Sequence, residues 1–150
     1  MIEELKDLES DIKTYMNTVY DLNSELSDVK AAAQKTYKKL LLDIIELADS
    51  FEMRQKAFHR EEEDLNPETI KWIKKYRIIY KKLKRILDKQ NVAEIEIMAG
   101  EIVNPSWHNP IETISIPGKK ENSIHEVHQK GYLLKGKLLR DATVTIIKNK

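Results

Sequence analysis

The sequence predicts an α+β protein: a long N-terminal coiled-coil helix, a short second helix that completes a dimeric four-helix bundle, and a small C-terminal all-β domain. Its 150 residues include only four Gly and four Pro, and 34% are charged, which favours long helices over a many-stranded sandwich. Residues 1–65 carry 16 acidic and 9 basic side chains, residues 66–90 carry 2 and 9, and residues 91–150 carry 7 and 8. These three charge balances suggest three structural roles. Together with the apolar periodicity they predict a stalk of residues 1–40, a helical-bundle region of residues 41–90 and a β domain of residues 91–150.

A heptad repeat runs through the first part. One series of side chains recurs every seven residues and a second follows three positions later, so that both fall on one narrow helical stripe. The series are Leu5, Ile12, Val19, Leu26, Ala33 and Leu40, and Leu8, Tyr15, Leu22, Val29 and Thr36. Because so narrow a stripe does not stabilise a single helix, and no second matching stretch exists, we expect pairing with another copy. The alternative is one amphipathic helix folded onto its own domain.

From Leu40 onward the apolar stripe broadens, and positions such as Ile44 and Leu47 widen it to more than half of the helix circumference. A wide apolar surface suits a bundle, in which neighbours pack on two sides. We expect dimerisation through Leu5, Leu8, Ile12, Tyr15, Val19, Leu22, Leu26, Val29, Leu40, Ile44 and Leu47. No Pro or Gly interrupts residues 2–60, which predicts a helix about 90 Å long that continues past Phe58 and frays in the acidic run Glu61–Asp64.

Asn66-Pro67-Glu68 predicts the start of a second helix, with a capping Asn, Pro in the first turn and an acid at the positive end of the dipole. Asn91 is its predicted stop. Its apolar face consists of Ile70, Ile73, Tyr76, Ile79, Tyr80, Leu83 and Leu87. The opposite face is basic, which suggests nucleic-acid binding as one hypothesis. The other interpretation is that it balances acids of the first helix, including Glu46, Asp49 and Glu52, in an antiparallel hairpin.

After Asn91 the apolar side chains alternate with polar ones, as in half-buried strands. The alternating sets are Val92, Ile95 and Ile97, then Ile111, Ile114 and Ile116, then Val144 and Ile146. Gly and Pro residues punctuate them, so we expect five or six short strands.

No catalytic or cofactor-binding pattern stands out. Without cysteine there is no disulfide, thiolate nucleophile or cysteine zinc site. His125 and His128 are too close for the zinc-helix motif and would point to opposite faces of a strand, and neither a phosphate loop nor an activated nucleophile is present. The sequence therefore predicts a non-enzyme with no metal or cofactor. No apolar window is long enough for a membrane span and Met1 opens onto a charged helix, so we expect a cytoplasmic protein.

A distinctive run lies near the C-terminus. It contains Glu126-Val127, the core Gln129-Lys130-Gly131-Tyr132, Gly136-Lys137, and Arg140-Asp141-Ala142. This run resembles the C-terminal signature of the GrpE family, the nucleotide-exchange factors of DnaK-type heat-shock chaperones. The segment from Leu41-Leu42 to Phe51, and a loop with Gly100, Asn104-Pro105 and His108, agree with the family as well. The resemblance covers about residues 40–148.

The resemblance implies a homodimer with a paired helical stalk, a four-helix bundle with two helices from each protomer, and a β wing on each protomer. One wing would bind the nucleotide-binding domain of the chaperone and hold its cleft open, so that ADP leaves. Two alternatives come from other classes. The chain would be a coiled-coil homodimeric adaptor whose β domain binds another protein, or a nucleic-acid binder that uses the basic helix 71–89, which salt-sensitive DNA binding would reveal.

Matching positions imply contacts with the chaperone. They are Val103, Pro105, His128, Lys137 and Ile146 in the wing, and Met53 and Arg54 on the long helix. The alternatives are core packing for Val103 and Ile146, a turn for Pro105 and a solvated side chain for Lys137, which we expect on a turn leading into the last strand. We expect Tyr132, Leu134 and Ala142 in the core, backbone roles for Gly131 and Gly136, and a loop hydrogen bond for His108.

Several positions depart from the family pattern: Asn104 replaces Asp, Asn109-Pro110 replaces Glu-Ala, His128 replaces an apolar residue, Lys137 replaces Arg, and Asp141 replaces Pro or Ala.

Overall fold

The computed structural model describes residues 1–60 and 66–149, over which it contains two helices and six strands. Helix α1 spans Ile2–Arg60 and helix α2 spans Pro67–Lys89. The strands are β1 (Val92–Glu94), β2 (His108–Ile114), β3 (Ile124–Gln129), β4 (Tyr132–Leu134), β5 (Lys137–Arg140) and β6 (Ala142–Ile147). The predicted succession of a long helix, a shorter helix and a small β region is confirmed. The predicted fraying at Glu61–Asp64 lies outside the described residues.

The chain divides into two compact units, Met1–Leu40 and Leu41–Lys150. The first unit is helical, and none of its side chains is buried. Its heptad side chains are therefore exposed, Leu26 by 50% and Val29 by 65%. Within the single chain this part of α1 has no core of its own.

The second unit contains an antiparallel pair formed by residues 41–60 of α1 and by α2. Leu41 and Ile45 pack in one cluster with Leu87 near the end of α2, whereas Phe51 contacts Tyr76 nearer its start, with ring centroids 4.3 Å apart. The predicted antiparallel hairpin is therefore confirmed.

Helix α2 begins as the sequence predicts. The Asn66 side chain accepts hydrogen bonds from the backbone N–H and the hydroxyl of Thr69, at 2.8 and 2.9 Å, and Pro67 follows it directly. The helix ends at a Gln90 cap, and Asn91 takes a φ of 58°, the left-handed conformation that commonly terminates helices. Of the predicted apolar face, Ile70 and Ile79 are exposed in the single chain.

Two three-stranded sheets follow the helices. One has the order β1-β4-β5 and is antiparallel, and the other has the order β2-β6-β3, with β6 parallel to β2 and antiparallel to β3. Val92 and Tyr132 of the first sheet complete the cluster built on Leu41 and Ile45. A second cluster consists of Ile124, Ala142, Val144 and Ile146, against which Ile97, Val103 and Val127 pack. The expected core positions Tyr132 and Ala142 are buried, and Leu134 packs against the first cluster.

Two details of the strand prediction are wrong. Strand β1 ends at Glu94, so Ile95 and Ile97 lie beyond it, although Ile95 is buried and donates its N–H to the carbonyl of Gly131 at 2.9 Å. Ile111 and Ile114 of β2 are exposed, because β2 is an edge strand whose register shifts between Pro110 and Glu112, and neither joins a core cluster.

The backbone geometry requires glycine at positions 131 and 136, as expected. A side chain at Gly131 would lie 2.7 Å from the Ile95 side chain and 2.8 Å from the Ala142 nitrogen. Lys135 and Gly136 have φ values of 50° and 76° between the paired residues Leu134 and Lys137, the signature of a two-residue type I′ hairpin turn. Among the described residues, no helix is long and apolar enough to cross a bilayer.

Candidate functional site

A cleft of about 450 Å³ lies between α1 and β3 in the second unit. One wall is formed by α1 residues between Glu46 and Lys56, including Met53, and the other by residues 126–130, including His128. We call this feature the α1–β3 cleft. Met53 and His128, far apart in the sequence, are both predicted chaperone contacts, and the structure brings them to facing walls of one cleft. Met53 is 69% exposed, so its thioether is accessible to a partner.

Arg140 joins the two walls of this cleft. Its Nη1 donates to Oδ2 of Asp49 on α1 at 2.7 Å, while its Nε and Nη2 donate to the carbonyl oxygen of Lys130 at 3.1 and 2.7 Å. Gln129 donates to the same Asp49 oxygen at 3.2 Å. The planar guanidinium can serve a carboxylate and a carbonyl at once because its donors are held in a fixed fork.

Lys130 forms a second link between the same two walls. Its ammonium lies 3.0 Å from a carboxylate oxygen of Glu52, one turn beyond Asp49 on α1, and 2.8 Å from an oxygen of Glu94 at the end of β1. The other Glu94 oxygen pairs with Lys84 of α2 at 2.7 Å, and the Tyr80 hydroxyl donates to Glu52 at 3.1 Å. The cluster therefore connects both helices with β1 and with the residue that follows β3.

The partly buried setting perturbs these groups. Burial alone would raise the pKa of Glu52 and of Glu94. The hydrogen bonds and charge of Lys130, with those of Tyr80 and Lys56 at Glu52 and of Lys84 at Glu94, outweigh burial and leave both pKa values below the ordinary 4.5. Burial likewise opposes the charge on Lys130, yet the two carboxylates hold its pKa above the ordinary 10.5. Burial and the neighbouring Glu52 charge raise the pKa of Tyr80 to about 12. At neutral pH the cluster is fully ionised and its tyrosine is neutral.

These contacts correct one interpretation of the charge pattern. Among the described residues, the ion pairs that Asp49 and Glu52 form beyond α1 are with Arg140 and Lys130 of the β region and not with the basic face of α2. Lys84, one of the α2 cations, pairs with Glu94 of β1. Asp49 and Glu52 of α1 therefore hold the β region. The segregation of charge along the sequence does not by itself reveal this role.

His128 takes part in a polar chain across the second sheet. Its Nε2 lies 2.6 Å from the hydroxyl oxygen of Thr145 on the central strand β6, and that hydroxyl donates to Glu112 of β2 at 3.4 Å. This replacement of an apolar family residue thus acquires a partner on its own sheet while still lining the α1–β3 cleft.

The other predicted contact positions lie elsewhere. Lys137 is exposed at the start of β5, so its turn leads into the fifth strand and not into the last one. Pro105 is exposed and Arg54 is exposed on α1, whereas Val103 is half-buried against the second cluster. Ile146 is only 6% exposed and belongs to that cluster, so the packing alternative holds for its side chain.

Hydrogen bonds of His108 and Asn104 hold the loop that contains Pro105. His108 is buried and its Nδ1 accepts a hydrogen bond from the backbone N–H of Asn104, which confirms the expected role of His108. The Asn104 side-chain oxygen accepts a hydrogen bond from the backbone N–H of Ser106 at 3.0 Å. The backbone carbonyl of Asn104 accepts from the backbone N–H groups of Trp107 and His108. Asn offers the same side-chain acceptor as the usual Asp, so this departure from the family preserves the turn.

The predicted dimerisation residues are mostly accessible. Those between Leu5 and Leu40 are exposed, and so is Leu47, whereas Ile44 is half-buried against the first core cluster.

Sequence reasoning missed the residues that shape the cleft: Asp49, Glu52, Glu94, Lys130 and Arg140. One signal was available. Asp49 and Glu52 are three residues apart and therefore share a helical face. Nothing local indicated that their cations would be Arg140 and Lys130, which come from the family-like C-terminal run.

Comparison with known proteins agrees with this architecture. The GrpE family model matches residues 2–148. A protein GrpE of Caldanaerobacter subterraneus subsp. tengcongensis is 27% identical over 148 residues, covering 93% of this chain and 68% of the relative. A mitochondrial GrpE protein homolog of Neurospora crassa is 32% identical over 130 residues, covering 82% and 54%. A protein GrpE of Francisella tularensis is 26% identical over 155 residues, covering 98% and 76%.

The match extends over nearly the whole chain and includes the signature that carries Lys130 and Arg140. It favours neither the adaptor nor the nucleic-acid hypothesis. The chain belongs to the GrpE family, the nucleotide-exchange co-chaperones of DnaK-type heat-shock chaperones.

Proposed function

We propose that the β region, residues 91–150, acts as a wing that binds the nucleotide-binding domain of a DnaK-type chaperone and favours its open, ADP-releasing state. The observation that carries this proposal is the α1–β3 cleft, which places Met53 and His128 on facing walls. Binding can shift the chaperone only by the difference in its affinity for the open and closed forms. By linkage, bound ADP weakens binding of this protein by the same factor.

The proposed contact surface comprises Met53 and Arg54 of α1 with Pro105, His128, Lys137 and the exposed edge of Val103. Ile146 supports it from beneath, since its side chain packs in the second core cluster. Lys137 would pair with a carboxylate of the chaperone as a point charge, without the bidentate geometry of the usual arginine. No bond is made or broken in this action, so we assign no catalytic residue and no cofactor.

We propose further that the protein is a homodimer. Residues 1–40 would pair as a coiled-coil stalk through the heptad side chains from Leu5 to Leu40, which are exposed in the single chain. Residues 41–90 would form the four-helix bundle, with α2 offering the exposed side chains of Ile79 and Ile86 to the other copy. Burying such side chains contributes roughly 25 cal/mol for each Å² removed from water. We place the protein in the cytoplasm, together with the chaperone it would serve.

The direct test is release of a fluorescent ADP analogue from the cognate DnaK-type chaperone after mixing with excess unlabelled ATP. We expect the release rate to rise with the concentration of this protein and to saturate. A heat-unfolded and rapidly diluted sample, shown by circular dichroism to lack helix, is the matched control. An ADP-release rate that does not change at any concentration of the folded protein would contradict the proposal.

A further inference from the structure

We propose that Arg140 and Lys130 are positioning residues that set the separation of the two walls of the α1–β3 cleft and thereby the affinity for the chaperone. The inference rests on the proposed function and adds residues that do not themselves touch the partner. It starts from how each cation bridges the cleft walls.

Arg140 uses different donors for different walls. Nη1 donates to Asp49 on α1, and Nε and Nη2 donate to the Lys130 carbonyl immediately after β3. Lys130 repeats the connection one turn further along α1, through Glu52, and anchors it to β1 through Glu94. Two points of attachment on one helix face fix both the distance and the angle between helix and strand, which a single point could not do.

The burial of Arg140 and Lys130 indicates that they position other residues and do not contact the partner themselves. The Arg140 side chain is 15% exposed and that of Lys130 is 29% exposed, and each is paired with groups of this chain. Their neighbours, in contrast, are accessible: Met53 follows Glu52 directly, and His128 lies two residues before Lys130. A change in either link would move Met53 relative to His128 without altering the chemistry of those two side chains.

The fork of arginine makes this assignment testable by a mild substitution. Arg140→Lys keeps the charge and can keep the ion pair with Asp49, but one ammonium cannot also reproduce the paired donation to the Lys130 carbonyl. Asp49→Asn is the complementary change, because it keeps the size of the α1 partner while removing its charge. Arg85→Lys, at an exposed position of α2, makes the same chemical change outside the cleft.

The experiment measures ADP-analogue release as a function of the concentration of each variant, at a temperature where circular dichroism shows every variant folded. We expect Arg140→Lys and Asp49→Asn to raise the half-saturating concentration by roughly tenfold, the loss of about one charge-assisted hydrogen bond. The maximal release rate should stay the same, because binding restores the cleft geometry at the cost of affinity. Arg85→Lys should match the parent in both quantities.

A double-mutant cycle separates positioning from a merely structural role. Met53→Ala should weaken binding in the parent but have a much smaller effect in the Arg140→Lys background, where Met53 is already displaced. Pro105→Ala, in a loop outside the cleft, should have the same effect in both backgrounds. The positioning role is overturned if the fold-changes in half-saturating concentration caused by Met53→Ala and Arg140→Lys simply multiply in the double variant. It is also overturned if Arg140→Lys and Asp49→Asn behave like Arg85→Lys. In both cases the exchange activity itself stands. If the parent does not accelerate ADP release, the proposed function fails and this inference fails with it.

Discussion

The Nδ1 atom of His108 accepts a hydrogen bond from the backbone N–H of Asn104, with 3.0 Å between the two nitrogens. His108 is the first residue of β2 and is 3% exposed, so the bond ties the start of an edge strand to the loop before it. The same loop presents Pro105, which we propose as a chaperone contact. A buried ring nitrogen therefore holds the start of this loop.

We predict that His108→Phe destabilises the fold. The phenyl ring fills a similar volume but leaves the Asn104 N–H without its acceptor, a loss of about 1–3 kcal/mol for a covered donor. Urea unfolding followed by circular dichroism measures the difference. Trp107→Phe, the adjacent exposed aromatic position, is the control and should change the free energy of unfolding little. Equal unfolding free energies for the two variants would show that the hydrogen bond does not stabilise the loop.

A charge in the proposed seam should disrupt the dimer. Leu26→Lys places an ammonium at a central heptad position of each chain, where two like charges would face each other without a partner. Helicity and the mass found by sedimentation at micromolar concentration should both decrease. Ser24→Lys, two residues away but off the stripe, should leave both unchanged. A Leu26→Lys protein with the mass of the parent would exclude this seam.

Exchange should depend on the charge of Lys137. Lys137→Glu is expected to lower the ADP-release rate at least tenfold, since an attraction to a carboxylate becomes a repulsion, a change of about 1.4 kcal/mol or more. The melting profile should be unaffected because the exposed side chain contributes little to folding. Lys137→Arg should preserve or improve the activity, and Lys119→Glu, in the turn after β2, should have no effect. ADP release by Lys137→Glu at the parental rate would assign the contact to other residues.

The ion cluster around Lys130 should make stability depend on pH. Glu52 and Glu94 have lowered pKa values, so their contribution is present above their ordinary pKa of 4.5 and is lost as the pH falls through the folded-state values. The pKa of Lys130 is raised, so its contribution is complete below 10.5 and is lost as the pH rises through the folded-state value. The cluster therefore stabilises the protein most between these limits.

Lys130→Met tests this dependence, because it leaves two partly covered carboxylates without their shared cation. At pH 7 we expect a loss of roughly 1–3 kcal/mol in the free energy of unfolding. The gap between variant and parent should narrow below about pH 4.5, as the carboxylates become protonated. Lys119→Met should show no such trend. A gap of constant size from pH 3 to pH 8 would mean that Lys130 stabilises the fold through its alkyl chain alone.

Local rules were sufficient for the helices. The capping Asn66, Pro67 and the left-handed Asn91 mark the ends of α2 because helix termini are decided by hydrogen bonds within a few residues. The same holds for the hairpin turn at Lys135-Gly136. Alternation was a poorer guide to the strands: it predicted that Ile111 and Ile114 are half-buried, yet both are exposed on the edge strand β2, whose register shifts between Pro110 and Glu112.

The partners of charged groups could not be derived from one sequence. Asp49 pairs with Arg140, which lies ninety-one positions later in the chain. Nothing in the composition indicates that Asp49 pairs with this cation and not with the basic residues of α2, which lie closer in the chain. The resemblance to the family implied contacts at Met53 and His128, but it did not predict that the two residues line one cleft. Pairings of this kind follow from the packed fold and are invisible to periodicity.

The arrangement β2-β6-β3 also bears on how the protein is made. Strand β6 lies between two strands that precede it in the chain, and its partnership with β2 is parallel. Until Ala142–Ile147 has left the ribosome, β2 and β3 have unpaired edges, whereas residues 41–89 can already form their helical hairpin. Non-local and parallel pairings form slowly, and open strand edges invite association with other chains. The second sheet of this co-chaperone therefore keeps open strand edges during synthesis until its central strand β6 becomes available.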